Sequence, residues 1–325
     1  MSVAFPSPDN TTVQFGHFSY RMDERYSVRD SRAKHFQTWT LEESIERISE
    51  ADVYVLTGFF NEELLERATN LKYIQGIRVG YGQFPLEKLK KRGIMFANAP
   101  HVIGNQVAEH AISLMLGLTR LIHTGRDNQN IGKWRGMVSD LSEREDELIG
   151  KTLLIVGMGA AGSRLARFAK AFDMKVLATK QDPSTAEGPA DEVGTPDRLA
   201  DMAPEADFIA LTCPLTPETT NIIDASVLKS MKPTSYLINV ARGQCVDEPE
   251  LLRTLESGGI AGAGLDHFVE DPLGPDSPFW KLRNVIITPH GSGESRHSED
   301  RVLDIMDENL ERLWNGQTDL VNRIV

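Results

Sequence analysis

A chain of 325 residues is long for a single hydrophobic core, so two domains are expected. Hydrophobic residues at 40% and charged residues at 25% are ordinary values for a globular protein and exclude a disordered one. The formal net charge of -12 has no basic run to offset it, which excludes a nucleic-acid partner and means that an anionic substrate would need local arginines.

The first ten residues lack the basic region and apolar run of a signal peptide, and no apolar stretch approaches the length that crosses a membrane. We therefore expect a soluble, cytoplasmic protein with no membrane partner. Cys213 and Cys245 form no metal-binding or redox motif and are expected to be small buried hydrophobic residues. The sequence predicts no metal site.

Residues 1 to about 100 alternate short apolar strands with helical segments. Predicted strands lie at 11–18, 51–58, 71–77 and 94–99, and predicted helices lie at 41–50, 61–70 and 86–93. This alternation is typical of a parallel sheet that is covered by helices. A flavodoxin-like α/β domain is therefore expected to open the chain.

The next two segments differ from this pattern. Residues 104–120 form a helical pattern that is apolar on most of its circumference, which is typical of a helix buried between layers or at a subunit contact. Residues 127–150 are polar, with Trp134 as an isolated aromatic side chain. They suggest an arm that packs on a partner subunit.

A glycine-rich turn lies near the middle of the chain. The apolar run at 151–156 is typical of a buried parallel strand, and Gly157, Gly159 and Gly162 follow it with the spacing Gly-x-Gly-x-x-Gly. A helical segment at 163–172 and a second apolar strand complete a βαβ unit. The turn therefore predicts a dinucleotide site, with the pyrophosphate at the helix N-terminus.

Six strands are predicted after residue 150, and most of them are separated by helical segments. They lie at 151–157, 174–179, 206–212, 235–240, 261–266 and 284–289. A final helix at 299–316 has an apolar face that is expected to pack on the first domain. We therefore predict a Rossmann-type doubly wound parallel sheet at 104–290, inserted into a smaller domain formed by 1–103 and 291–325.

Several phrases in this order resemble the D-isomer-specific 2-hydroxyacid dehydrogenases, in particular glyoxylate and hydroxypyruvate reductases. They are NAPHVIGNQVAEH, the turn at 157–162, CPLTPETTNII, INVARGQCVDEPELL, GAGLDHFVEDP and NVIITPH. The resemblance spans about residues 71 to 293. It implies two α/β domains with a cleft between them, a nicotinamide cofactor on the larger domain and a homodimer.

Two of the three catalytic positions that the resemblance implies match the family. Arg242 follows a predicted strand, and its guanidinium is a planar two-pronged donor suited to the carboxylate and carbonyl oxygen of a 2-oxo acid. His290 also ends a strand, and an imidazole titrates near neutrality, so it suits the role of acid and base at the 2-hydroxyl.

The third catalytic position departs from the family, which usually has a glutamate where this chain has Asp271. Aspartate is one methylene shorter. Three outcomes are open: the backbone shifts so that Asp271 reaches His290, the neighbouring Glu270 takes over, or the imidazolium is stabilised less than usual. The register favours Asp271.

By the same resemblance, backbone N–H groups of a first-domain loop hold the substrate carboxylate together with Arg242 and His290. The register places this loop at Arg78, Val79 and Gly80. Arg78 stands where a small residue is usual. An extra cation would favour a larger or doubly anionic substrate, unless Arg78 points to solvent.

The choice between the two nicotinamide cofactors depends on the end of the second strand. A carboxylate there would accept hydrogen bonds from the ribose of NAD(H). This chain has Thr179 and Lys180 instead, whose hydroxyl and ammonium groups could bind a 2′-phosphate. NADP(H) is therefore favoured, and Asp182 keeps NAD(H) possible. The cofactor-binding residues implied by the resemblance are Gly157, Met158, Gly159, Ala160, Ala161, Gly162, Thr179, Lys180, Cys213, Pro214, Ala241 and Asp266.

These observations predict an oxidoreductase that transfers a hydride between NAD(P)H and C2 of a small anionic 2-oxo or D-2-hydroxy acid, working as a 2-oxoacid reductase. One alternative is a non-catalytic NAD(H)-sensing protein like the corepressors of this family. Another is an enzyme of the same fold that oxidises formate or phosphite.

Overall fold

Twelve strands and eleven α-helices lie in residues 5–29, 32–78, 80–100 and 102–325, which are the residues that the structure describes. The structure is a computed structural model. The chain divides into two units, Met1–Ile103 with Ser295–Val325, and Gly104–Glu294. That the first unit binds substrate stays a prediction.

The helices cover the faces of two parallel sheets. They are α1 Met22–Ser27, α2 Leu41–Arg47, α3 Glu62–Arg67, α4 Leu86–Lys91, α5 Gly104–Thr119, α6 Ile122–Asn130, α7 Ala160–Ala171, α8 Leu199–Met202, α9 Ala225–Ser230, α10 Glu248–Glu256 and α11 Ser298–Trp314. Polar caps begin several of them. Asn61, for example, accepts a hydrogen bond from the backbone N–H of Leu64 at 2.8 Å, as its position before α3 predicts.

The first unit is built on a five-stranded parallel sheet. Its strands are β1 Thr12–Gly16, β2 Lys34–Thr38, β3 Val53–Leu56, β4 Tyr73–Gly76 and β5 Met95–Ala97, in the order β2-β1-β3-β4-β5. This is the order of the flavodoxin-like fold, which is confirmed. Strand β2 was not predicted, because its sequence KHFQT has no apolar run and lies at the edge of the sheet.

Both faces of this sheet are buried. One face carries a cluster in which Val302, Met306 and Leu310 of α11 pack with Phe15 and Val55 of the sheet. The other face packs on α2, α3 and α4. Helix α11 is thus part of the core of the first unit, although more than 190 residues separate it from β5.

The second unit is built on a seven-stranded parallel sheet. Its strands are β6 Thr152–Val156, β7 Lys175–Thr179, β8 Glu192–Gly194, β9 Phe208–Leu211, β10 Tyr236–Asn239, β11 Gly262–Leu265 and β12 Val285–Ile287, in the order β12-β11-β10-β9-β6-β7-β8. The doubly wound Rossmann-type sheet is confirmed, with seven strands rather than six. The strand order reverses between β6 and β9, where such sheets bind ligands at their carboxyl ends.

Helix α5 packs inside the second unit. A Cβ atom on Gly264 of β11 would lie 2.9 Å from the Cβ of Leu114, and one on Gly117 would lie 2.9 Å from Cδ1 of Ile286. These close approaches between helix and sheet explain why α5 is apolar around most of its circumference. Among the described residues, no helix is long and apolar enough to cross a bilayer.

His17 directly follows β1 and is buried in the first unit. Its ring stacks on those of Phe18 and Tyr20, with centroid distances of 4.7 and 4.2 Å. Its Nδ1 accepts hydrogen bonds from the backbone N–H groups of Tyr20 and Ser19 at 2.8 and 3.1 Å. Burial and, secondly, the charge of Arg78 lower the pKa of His17 from its usual 6.5 to about 4.

The lowered pKa of His17 predicts a loss of stability in mild acid. Between pH 6.5 and 4 the unfolded chain binds a proton that the folded chain does not, so stability falls as the pH falls. From pH 7 to pH 5 the free energy of unfolding should decrease by about 2 kcal/mol on account of His17 alone. Urea unfolding of the wild type and His17→Phe at both pH values measures this contribution.

The variant Tyr20→Phe is the matched control, because it keeps the ring stack and the titrating group. It should show the wild-type dependence on pH, whereas His17→Phe should show a shallower one. Equal dependence in the wild type and His17→Phe would contradict the prediction.

Candidate active site

The glycine turn after β6 is required by close packing of the backbone. Gly157 has a φ of +102°, and a Cβ atom there would lie 2.7 Å from the Cα of Cys213. A Cβ atom on Gly162 would lie 2.2 Å from the carbonyl oxygen of Gly157. A side chain fits at neither position, so these two glycines hold the start of α7 against the end of β6.

Gly159 serves a different purpose. A Cβ atom there would meet none of the described atoms within 4 Å, and Gly159 stands immediately before α7. The first bond into this helix runs from the Ser163 N–H to the Gly159 carbonyl at 2.8 Å, so the N–H groups of residues 160–162 precede it. Open space beside these donors fits the pyrophosphate of a dinucleotide.

Arg242 lies in a turn at the carboxyl end of β10. The side chain of Asn239 holds this turn, since its Nδ2 donates to the carbonyl of Arg242 at 2.9 Å and its Oδ1 accepts from the N–H of Ala241 at 3.0 Å. Gly243 follows, and a Cβ atom there would lie 1.9 Å from the carbonyl carbon of Phe268. The exposed arginine is therefore anchored on both sides by buried contacts.

Asp266, at the end of β11, holds the segment that carries His290. Its carboxylate accepts hydrogen bonds from the Thr288 hydroxyl at 2.6 Å and from the N–H groups of Gly291 and Ser292, each at 2.9 Å. Burial alone would raise the pKa of Asp266, but these hydrogen bonds outweigh it and lower that pKa. The carboxylate is therefore charged, buried and occupied by the protein itself.

His290 follows β12 in a strained backbone conformation, with a φ of +53°. Its N–H donates to the carbonyl of Asp266 at 3.0 Å, and its Nδ1 lies 2.5 Å from Oδ2 of Asp271. Glu270 lies instead beside Gly274. Of the alternatives that the sequence leaves open, the structure shows the contact between Asp271 and His290.

His267 is a neighbour of His290 that the sequence did not reveal. It is buried, and its ring meets that of His290 edge to face at a centroid distance of 4.0 Å. Burial first, then the positive charges of His290 and Arg242, lower the pKa of His267 to about 4. His267 is thus neutral at pH 7, and Arg242 and His290 both lie within electrostatic range of it.

The comparisons with known proteins agree with this arrangement. The family described as D-isomer specific 2-hydroxyacid dehydrogenase, NAD binding domain, matches residues 112–292. A glyoxylate reductase from Korarchaeum cryptofilum is 35% identical over 286 residues, which are 86% of each chain. The chain belongs to this family. It is an NAD(P)-dependent dehydrogenase that transfers a hydride between a nicotinamide cofactor and C2 of a 2-oxo acid.

Two further relatives support the membership. A glyoxylate reductase from Pyrococcus furiosus is 35% identical over 293 residues, covering 87% of this chain and 86% of its own. An NADPH-dependent glyoxylate/hydroxypyruvate reductase from Sinorhizobium meliloti, solved in complex with citrate, superposes with a TM-score of 0.80 at 25% identity and covers 97% of both chains.

The dehydrogenase brings its expected catalytic side chains to neighbouring strand ends. Arg242, Asp271 and His290 follow β10, β11 and β12, which are adjacent in the sheet. The sequence did not indicate two residues that hold these segments. Asn239 holds the turn of Arg242, and Nε2 of His110 in α5 lies 2.9 Å from the Thr288 hydroxyl. His110 depends on a contact between distant segments and has no local sequence signal. Asn239 acts on the turn that directly follows it, and an asparagine at the end of a strand is itself a turn signal.

The expected cofactor-binding residues fall into two groups. Gly157, Gly159, Ala160, Ala161, Lys180 and Pro214 have accessible surface, whereas Met158, Gly162, Thr179, Cys213, Ala241 and Asp266 are buried. Thr179 is only 1% exposed, so its predicted contact with a 2′-phosphate would need a rearrangement.

The Cys245 thiol and burial raise the pKa of Cys213, which is therefore an uncharged thiol.

The end of β7 presents one cation and one occupied carboxylate. Nζ of Lys180 donates to the carbonyl of Thr185 at 2.5 Å. Asp182 accepts from the N–H and hydroxyl of Ser184 at 3.0 and 2.6 Å, and so caps the short 3₁₀ helix Pro183–Thr185. The carboxylate of Asp182 is therefore already hydrogen-bonded within the protein, without the ribose of a cofactor.

The predicted substrate loop follows β4 in the first unit. Positions 80 and 82 are glycines, and a Cβ atom at either would meet none of the described atoms within 4 Å. Arg78 lies two residues beyond β4, and its charge acts on His17 of the same unit. Val79 lies outside the described residues, so its role stays a prediction.

Proposed function

We propose that this dehydrogenase reduces glyoxylate and related small 2-oxo acids, with Arg242 and His290 as catalytic residues and Asp271 as the residue that positions His290. The 2.5 Å contact between His290 and Asp271 carries the proposal, because it provides an oriented acid after β12, on the same sheet edge as the exposed Arg242 after β10. The relatives that are glyoxylate reductases support the choice of substrate.

Each residue has a separate task in this reaction. When bound, the reduced nicotinamide supplies the hydride that C2 receives. Arg242 binds the carboxylate and polarises the carbonyl oxygen through its guanidinium donors. Protonated His290 gives its proton to the developing alkoxide oxygen, from the ring nitrogen that does not face Asp271. Asp271 accepts a hydrogen bond from Nδ1–H of His290 and so stabilises the imidazolium.

We further propose that NADP(H) is the preferred cofactor. The cation of Lys180 at the end of β7 supports this choice, as does the engagement of Asp182 with Ser184, which occupies the carboxylate that could bind the ribose of NAD(H). The NADPH-dependent relative points the same way. Because Thr179 is buried, Lys180 is the residue on which this preference rests.

Lys180→Ala should raise KM for NADPH about 10-fold or more and leave KM for NADH unchanged, since the lost interaction is a charge-assisted hydrogen bond to a phosphate. Steady-state kinetics with both cofactors measure the effect. Lys175→Ala is the matched control, because Lys175 begins the same strand and pairs with Glu205. Equal loss with the two cofactors would contradict the assignment of Lys180.

A spectrophotometric panel tests the proposed function as a whole. Glyoxylate, hydroxypyruvate, pyruvate, phenylpyruvate and a dicarboxylic 2-oxo acid are each assayed with NADPH and NADH. We expect turnover with glyoxylate, and a preference for the dicarboxylic acid would follow if Arg78 binds a second anionic group. Cofactor binding without any turnover would favour a sensing protein. Formate and phosphite are assayed separately with NADP⁺ and NAD⁺, and activity with only these reductants would favour the other alternative.

We also propose a cytoplasmic homodimer. The segment after α6 exposes large apolar side chains, including Ile131, Met137, Leu141 and Trp134, whose side chain is 95% exposed. Apolar surface of this kind marks an interaction site, and the sequence predicts a subunit arm here. The two free cysteines support a reducing compartment.

A further inference from the structure

Three potential metal ligands surround the proposed acid of this enzyme. They are His267, Asp271 and His290, whose donor atoms all lie within 4.8 Å of one another. In the described part of the chain, this is the one group of three or more such side chains with this geometry. Two imidazoles and one carboxylate form a ligand set that binds zinc and other divalent transition metals, with a fourth position open to water or substrate.

Access to the group is open from one side. The side chains of His290 and Asp271 are 38% and 39% exposed, so a hydrated ion can reach both. His267 is buried beneath them and meets the ring of His290 edge to face. The site thus has two surface ligands over a third ligand that is held in place by packing.

The orientation of His267 suits a ligand. Its Nε2 lies 3.5 Å from Oδ2 of Asp266, a charged carboxylate that is itself fixed by the backbone of residues 291 and 292. A carboxylate behind a metal-binding imidazole is the usual support for such a ligand, since it sets the tautomer and the ring orientation.

The distances require only small adjustments. Zinc bonds of about 2.0–2.2 Å in a tetrahedron separate neighbouring ligand atoms by roughly 3.3 Å. The contact of 2.5 Å between His290 and Asp271 would therefore open slightly, and the wider separations would close. Rotations of exposed side chains provide such movements.

We propose that His267, Asp271 and His290 form an inhibitory site for a divalent transition metal such as Zn²⁺. The metal takes the place of the proton on Nδ1 of His290 and binds Asp271 as a second ligand. His290 then cannot form the imidazolium that donates a proton from its other ring nitrogen, and it loses its positioning partner. Binding of the metal follows from the ligand geometry alone, whereas the loss of turnover rests on the proposed function of His290. Removal of the metal by a chelator restores the enzyme.

Binding is tested on the full chain after dialysis against a chelator. Calorimetric titration with zinc chloride should show one strong site per chain, and Co²⁺ should give the visible absorption of a tetrahedral complex. His267→Phe, which keeps the aromatic contact, and Asp271→Asn should each weaken zinc binding at least about 10-fold. His123→Gln, a histidine of α6 outside the group, should bind zinc as the wild type does.

Turnover is then measured with and without zinc. Wild type and His123→Gln should lose activity at one zinc per chain and recover it with EDTA, whereas the residual activity of His267→Phe should persist at that zinc concentration. Unchanged zinc affinity in both His267→Phe and Asp271→Asn, or no strong zinc site in the wild type, would overturn the proposal. A chain that binds zinc through these residues but reduces no 2-oxo acid would contradict only the proposed function.

Discussion

Replacing His290 with alanine is expected to lower kcat for glyoxylate reduction by at least about 10²-fold, because the alkoxide then has no positioned acid. The affinity for NADPH should not change, since the residues that fit the dinucleotide lie on the turn between β6 and α7. Stopped-flow measurements of turnover and fluorescence titration with NADPH separate the two effects.

The variant His123→Gln is the control for the loss of an imidazole elsewhere in the second unit. It should keep the wild-type kcat, because His123 contacts the carbonyl of Gly117 on α5 and none of the proposed catalytic side chains. Retention of turnover in His290→Ala would remove His290 from the acid role. Loss of NADPH binding together with turnover would instead indicate a general structural defect.

Replacing Asp271 with asparagine is expected to lower kcat by about 10²–10⁴-fold, because a neutral amide cannot stabilise the imidazolium and can present the wrong group to Nδ1. Asp271→Glu keeps the carboxylate and should preserve or raise activity.

Glu270→Gln is the matched control for this series, since it neutralises the adjacent acid that does not contact His290. It should retain the wild-type kcat. If Glu270→Gln is the damaging substitution and Asp271→Asn is mild, then Glu270 rather than Asp271 supports the acid in solution.

Much of the fold was predictable because parallel strands buried on both faces are continuous apolar runs. The sequence TLLIV of β6 and the glycines after it are recognisable from local spacing alone. Strands β2 and β8 were missed because edge strands have a weaker pattern: KHFQT and EVG contain few apolar residues. Their pairing is set by the neighbouring strand, which no local window shows.

The positions of the candidate site residues in the fold were largely predictable. Arg242 and His290 follow the apolar strands β10 and β12, and the register favours Asp271 over Glu270, which agrees with the observed contact. The burial of Thr179 was not foreseen, because the sequence gives the end of β7 but not the direction of its last side chain. His267 was missed because the turn after β11 alone decides whether that side chain faces His290 or solvent.

The order of the chain has a consequence for synthesis on the ribosome. The first unit needs α11 for its core, and the N–H of Ile324 donates to the carbonyl of Phe96 in β5 at 2.8 Å. Residues 104–294, by contrast, contain the whole second unit. Since domains fold as units, the second unit can fold before α11, which the first unit needs for its core, has been synthesised. The first unit is thus synthesised first but completes its folding last.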